Sequence, residues 1–506
     1  MQRSEKAVIT KNAFANIVRG SAAAVVAIAV PPFLTRMMSL DAFGCWSLVL
    51  QIGAYIGYLD FGIQTAVSRF VAHATERRDF EQRNRIISTS ALILGIAGVL
   101  GILAAFAISI VLPEFFRGMP LNLIAPTRLA LVLVSLSLAV GLPASIINGI
   151  FVGLQRNEIP AFTIGLSRGL GAVLQVFIVA HGGTLAWMAG GVAGANLLSY
   201  FMQYWMYHRF ASGFEFSRRF ICFRAVRELS AYCASLTVWS FAMLLVGGLD
   251  VVLVGAFQFK ATAYYAVAAS LVAFVIGLQN AVFSALLSPA AVLHARGDSD
   301  GLGRMVVSAT RYGMFLLFAT GLPLIFFSRS ILNVWVGKDY AQHGALLLEI
   351  LVMANIIRLS ATPYAIALLG SGQQRLVIVT PLLEGFTNLL ASLIGGLHFG
   401  AVGVAWGTFI GALVGVGGNF LCNMPRTTEI QFRIRDYVCD GLLRPCACAV
   451  PGMVLGILLS EIRKPSPFKY PALAGAVFFT AVLLWRYGLI QTERENLRVR
   501  YLVPQG

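Results

Sequence analysis

Five charged residues stand in stretches from which an apolar sequence should exclude them. Arg168, in Leu166-Ser167-Arg168-Gly169-Leu170, and Arg358, in Ile356-Ile357-Arg358-Leu359-Ser360, each fall near the middle of an apolar run. Glu384 is central in another, Asp60 lies in the inner half of a fourth and Asp250 in the outer half of a fifth. A charge at the centre of a hydrocarbon core costs about 2.5–3.5 kcal/mol on insertion scales, so each such residue needs a partner or a task. Arginine keeps its charge in low-dielectric surroundings, and its planar fork matches two phosphate oxygens at once. Arg168 and Arg358 therefore predict a cavity for an anionic, phosphate-bearing substrate and argue against a cationic drug. Asp60, Asp250 and Glu384 predict ion coupling or gating. The plainer reading of each is a buried ion pair, with Glu384 and Arg358 the first candidates because their helices are consecutive.

The elements that position these residues follow from composition. Of 506 residues, 58% are apolar and 12% charged, and the mean hydropathy is +0.79. That leaves too few polar groups to cover a water-soluble globule. Runs of roughly 20 residues, enough to cross a bilayer core of about 30 Å, recur throughout. They predict an all-α polytopic membrane protein with about fourteen spans, near 12–37, 42–68, 86–112, 125–153, 158–180, 183–208, 227–255, 262–290, 305–328, 343–370, 374–398, 400–423, 437–460 and 468–488.

The spans repeat. Gly153-Leu154-Gln155-Arg156 falls on Gly372-Gln373-Gln374-Arg375, and Ala186-Trp187 on Ala405-Trp406, at one offset (375 − 156 and 406 − 187 are both 219). Pro143 and Pro363 fit within one residue of that register and read as matched hinges. Six spans per copy make the copies parallel, related by an axis along the membrane normal, a common build of secondary transporters. The expected division is a first six-helix lobe with its cytoplasmic linker at 1–226, a second lobe at 227–425, and two appended helices with a tail at 426–506.

The net charge of +16 reflects topology and gives no reason to expect a nucleic-acid partner. Most of the 38 Lys and Arg fall on one side of these spans, above all at Arg69, Arg77, Arg78, Arg83 and Arg85 and at Arg209, Arg218, Arg219, Arg224 and Arg227. Short loops so biased face the cytoplasm, which places both termini there. Arg3, Lys6, Lys11 and Arg19 before an apolar run imitate a signal peptide, but Pro31-Pro32 and the next span close behind favour an uncleaved first helix. No metal or cofactor is expected. The seven cysteines lack a Cys-x-x-Cys spacing, the six histidines have no catalytic or ligand partner in sequence, and no glycine-rich phosphate loop appears. No outward loop is long enough to carry a sugar polymerase or ligase site.

The first 90 positions carry a resemblance. Asn16, Pro31-Pro32-Phe33-Leu34-Thr35-Arg36, Ala42-Phe43-Gly44, Tyr58-Leu59-Asp60-Phe61-Gly62-Ile63 and Ser68-Arg69-Phe70-Val71-Ala72, followed by Asn84, resemble the polysaccharide transporter family. These are the O-antigen (Wzx-type) flippases, relatives of multidrug-and-toxin extruders and of the peptidoglycan lipid flippase. The resemblance implies a bacterial inner-membrane protein that moves undecaprenyl-diphosphate-linked oligosaccharide between leaflets by alternating access. It implies membrane lipids, the polysaccharide polymerase and assembly proteins as partners. A drug or metabolite antiporter and a membrane-embedded polymerase or ligase are the alternatives.

Overall fold

The structure is a computed structural model that describes residues 24–211, 214–373, 378–460 and 469–488. All the regular elements among them are helical. Twelve helical runs are long and apolar enough to cross a membrane, and a shorter apolar helix, α1 (Ala24–Met37), precedes them. The part of the first expected span before Ala24, with Asn16 and the basic N-terminal residues, lies outside the described residues, as do Gln374, Arg375 and the tail after Gly488.

After α1 come α2 (Leu40–Ala54), α3 (Ile63–Glu76), α4 (Phe80–Phe115), α5 (Leu121–Gly153), α6 (Glu158–Ala180) and α7 (Leu185–Phe210). The second series is α8 (Phe223–Met243), α9 (Asp250–Phe257), α10 (Thr262–Phe283), α11 (Leu287–Ala295), α12 (Ser299–Phe326), α13 (Ser328–Trp335), α14 (Lys338–Ser360), α15 (Thr362–Gly370) and α16 (Val379–Gly418). Within the first series α5 packs on α2, α3, α4 and α7, while within the second α14 packs on α10, α12, α13 and α16. The last pair, α17 (Arg444–Ser460) and α18 (Lys469–Leu483), pack on each other and against α12.

The internal likeness extends to helix caps. Asp79 accepts the Gln82 N–H at 2.9 Å to start α4, and Asp298 accepts the Gly301 N–H at 2.7 Å to start α12. The residue before each aspartate is left-handed, Arg78 at φ 56° and Gly297 at φ 71°. These pairs keep the offset of 219 (298 − 79), and so do the 37-residue runs Leu40–Glu76 and Phe259–Ala295. The 33-residue runs Leu121–Gly153 and Lys338–Gly370 then stand 217 apart (338 − 121). The left-handed turn residues after them, Gln155 and Gly372, keep that spacing. The Gly153/Gly372 match therefore runs two residues out of helical register. The slip arises between the two runs, where the first copy has one long helix, α4, and the second has α12 followed by the separate α13.

Two breaks shape the site. A 3-10 turn (Tyr55–Asp60) and two left-handed residues, Phe61 and Gly62, separate α2 from α3, so the expected span 42–68 is a broken helix. In α16, Gly400 takes φ 57° and ψ −136° and turns the chain back on itself. Gly403, Gly407, Gly411 and Gly415 then lie along Gly395, Ser392, Asn388 and Glu384, with no side chain to hold the two backbones apart.

Candidate functional site

Arg358 comes from α14 and Glu384 from the first arm of α16. Their side chains are 19% and 11% exposed, and Arg358 Nε donates to Glu384 Oε1 at 2.5 Å. Arg358 Nη1 reaches Asn355 Oδ1 at 3.4 Å, while its Nη2 is buried without a hydrogen-bond partner. Gly415 makes the pair possible, because a Cβ there would sit 2.2 Å from Glu384 Oε2. Asp250, 6% exposed, opens α9 and accepts from Tyr265 Oη at 3.1 Å and Thr408 Oγ1 at 2.9 Å.

Arg358, Asp250, Tyr265, Asn355 and Thr408 line one cavity of about 430 Å³ with Ala27 from α1 and Ser47 and Gln51 from α2. Both helix series thus contribute to a polar space within an otherwise apolar interior. None of its lining residues comes from α17 or α18.

The cavity wall holds a local departure from α-helix. Residues Leu244–Gly248, between α8 and α9, form a π-helical turn, which takes carbonyls out of the regular ladder. Such groups need partners at membrane depth. Asn388 Nδ2 serves the Leu245 and Val246 carbonyls at 3.2 and 2.5 Å, and Gly248 O accepts from Gln51 Nε2 at 2.7 Å and Tyr55 Oη at 2.5 Å. The last two donors come from the opposite helix series. Sequence reasoning missed Asn388, Gln51, Tyr55, Tyr265 and Thr408 because it searched for charge. The signal available was Glu384-x-x-x-Asn388-x-x-x-Ser392, a polar stripe at helical spacing facing the glycine stripe.

Asp60 lies elsewhere. Both its carboxylate oxygens stand 3.4 Å from the Gln64 N–H, and Ser145 Oγ donates to Oδ1 at 3.3 Å, so it caps the start of α3. Gly62 supplies the left-handed turn and lets Leu236 of α8 approach, since a Cβ on Gly62 would lie 2.6 Å from Leu236 Cβ. Thr237 Oγ1 donates to Phe61 O at 3.3 Å beside it. The Asp-x-Gly motif thus builds a broken helix against the other series. Gly62→Ala should cost about 1–2 kcal/mol from backbone strain alone, before the Leu236 clash. A thermal melt of the purified variant, compared with Gly57→Ala at a position with open space, checks this.

Arg168 does not line the cavity. It is exposed on α6, where Phe162, Leu166, Val173 and Phe177 form the exposed apolar stripe, and at 3.6 residues per turn it is rotated roughly 120–180° from all four. Pro143 lies inside the continuous α5, whereas Pro363 starts α15 directly after the break at Ala361. Arg311 is a buried charge that the sequence reading does not single out. It is 1% exposed, and its Nε donates to Asp440 O at 2.9 Å, tying α12 to the turn before α17.

Comparisons with known proteins agree with this architecture. The profile of the family described as polysaccharide biosynthesis protein matches residues 9–292, more than half of the chain. The uncharacterized membrane protein EpsK of Bacillus subtilis (strain 168) is 22% identical over 502 residues, covering 96% of each chain. Among solved structures, the lipid II flippase MurJ in an inward closed conformation superposes with a TM-score of 0.71 at 12% identity, covering 98% of this chain and 100% of that one. An inward-facing multidrug resistance MATE family transporter superposes at 0.59 and 14% identity, covering 78% and 96%. The fold is therefore that of polytopic transporters, and the chain belongs to the polysaccharide biosynthesis protein family.

Proposed function

We propose that this protein is a flippase for undecaprenyl-diphosphate-linked oligosaccharide, carrying it from the cytoplasmic to the periplasmic leaflet by alternating access. The observation that carries the reading is Arg358, a half-buried side chain whose Nη2 is buried and unpartnered, at a polar cavity to which both helix series contribute. Phosphate oxygens are among the acceptors that an arginine pairs with most strongly, and Nη2 is the donor left open for one. The family's polysaccharide role and the fold shared with a lipid flippase support the same substrate class.

In this reading residues 1–226 and 227–425 are two parallel lobes, α16 counts as two crossings because of Gly400, and α17 and α18 are appended, which gives fourteen spans. The basic loops put both termini in the cytoplasm of a bacterial inner-membrane protein. Asp250 and Glu384 are the ion-coupling or gating carboxylates nearest the cavity, Asp60 gates through the broken helix, and Pro143 and Pro363 flex the two lobes. A cation-coupled antiporter would use the same acids but leaves Arg358 only the task of neutralising Glu384.

Arg168, turned away from the exposed apolar stripe, is the second proposed substrate contact. Arg168→Gln should lower transport at least about tenfold, as loss of a charged hydrogen bond implies, with normal membrane abundance. Arg168→Lys should rescue poorly, and parental transport by both variants would remove Arg168 from the pathway.

The sidedness of lipid-linked units in cells lacking the protein tests the function. Complete units held on the cytoplasmic face are expected. Single units displayed outside would instead indicate a polymerase or ligase.

A further inference from the structure

The two prolines of the first helix leave backbone work undone, and the opposite helix series does it. Pro31 and Pro32 have no N–H, so the carbonyls of Ala27 and Ile28, four residues earlier, lose their helical partners. Ala27 faces the central cavity. The Ile28 carbonyl accepts the indole N–H of Trp335 at 3.0 Å. Trp335 ends α13, whose last carbonyls are themselves unsatisfied by the helix. Arg36, at the end of α1, donates Nη2 to two of them, Val334 O at 3.1 Å and Trp335 O at 3.4 Å. Each side thus satisfies backbone groups that the other leaves open.

Behind these bonds the seam is apolar. Leu34 and Phe43 of the first series share one buried cluster with Leu332, Val336 and Tyr340 of the second, and Phe43 meets Tyr340 edge-on at 6.3 Å. The seam lies at the end of the helices opposite the basic loops, which the positive-inside rule makes the outer side.

We infer that Arg36 and Trp335 form a clasp that holds the outer side shut, and that its release opens the cavity outward. The bonds are suited to repeated breaking. Arg36 is exposed and Val334 is 76% exposed, so water replaces the lost partners when the seam parts. Deeper in the seam the contacts are apolar and bring no comparable exchange. The inference rests on the alternating-access part of the proposed function and is independent of what is carried.

Accessibility of the cavity tests it without any substrate. A cysteine placed by Ala27→Cys is labelled with a membrane-impermeant maleimide, from the outer face of right-side-out membranes and from the inner face of inverted ones. Labelling is normalised to protein amount, and the same variants without Ala27→Cys give the background from native cysteines. Trp335→Phe keeps the ring and removes only the indole N–H, while Arg36→Gln removes the charged fork. Trp335→Phe should raise outer labelling roughly two- to tenfold, the change expected for one neutral hydrogen bond. Arg36→Gln should raise it at least about tenfold because a charged donor is lost, and both should lower inner labelling. Unchanged rates in both variants, or a rise from both faces alike, would overturn the clasp. Failure of the flippase reading would show instead as a lack of lipid transport with these labelling shifts intact.

Discussion

Replacing Arg358 or Glu384 singly should reduce the amount of protein in the membrane, and replacing both with apolar residues should restore it. Removing one partner of a buried pair leaves an uncompensated charge, which costs about 3–5 kcal/mol, a large share of the roughly 5–15 kcal/mol that holds a typical domain together. The pair meets that description at 2.5 Å and 11–19% exposure. Arg358→Gln leaves the Glu384 carboxyl without its compensating cation. Glu384→Gln keeps an acceptor oxygen for Arg358 Nε but removes the negative charge that compensates it. Arg358→Met with Glu384→Leu removes both charges and should recover abundance. It should not recover transport, because the proposed phosphate contact is gone. Arg358→Lys separates the two roles, keeping a charge for Glu384 but losing the fork, so abundance should persist while transport falls. Membrane-fraction immunoblots read the first quantity and surface polysaccharide the second. Full transport by the double apolar variant would show that Arg358 only neutralises its neighbour.

Gly403→Ala should be the most damaging of the small substitutions. Its Cβ would lie 1.9 Å from the Gly395 carbonyl oxygen and 2.2 Å from the carbonyl carbon. The obstacle is backbone, so no rotamer change relieves it, and the two arms of α16 must separate. Overpacking of ordinary side chains costs about 1–3 kcal/mol, and a backbone collision belongs at or above the top of that range. Separation would also carry Asn388 away from the Leu245 and Val246 carbonyls. Gly417→Ala, where no atom lies within 4 Å, is the control and should behave like the parent. Gly415→Ala should fall between, since it meets the Glu384 side chain and displaces the ion pair while sparing the hairpin. Thermal melts of the three detergent-purified variants should rank Gly403→Ala lowest and Gly417→Ala highest.

Much of this arrangement is legible in the sequence, for physical reasons. Apolar runs of bilayer length mark the spans, and the duplication survives in landmarks that turns and caps require. The Arg358–Glu384 pair is readable because the apolar runs that carry them follow each other directly in the sequence. Less visible are features that depend on distant partners. Asp250 is held by Thr408, 158 positions away, and nothing local to either residue signals the other. Residues Tyr55–Gly62 scan as part of one apolar span, and the break shows only in the left-handed Phe61 and Gly62. The turn at Leu244–Gly248 shows in the sequence only as Gly247-Gly248, since the donors to its carbonyls are the distant Gln51, Tyr55 and Asn388. Arg311 escaped notice because a charge near a span end ordinarily reaches water, whereas here the turn before α17 covers it. Arg168 looked equivalent to Arg358 by depth, yet depth does not fix rotation about a helix axis.

Reconstitution tests the central claim most directly. Purified protein is incorporated into vesicles that carry a diphosphate-linked oligosaccharide lipid in both leaflets, and an impermeant glycosidase is added outside. The account predicts that the enzyme digests only the outer half in protein-free vesicles and nearly all of the lipid-linked sugar when the protein is present. With Arg358→Lys, digestion should stop near half. Digestion limited to half with the parent protein, in vesicles where the same preparation moves a cationic drug, would contradict it.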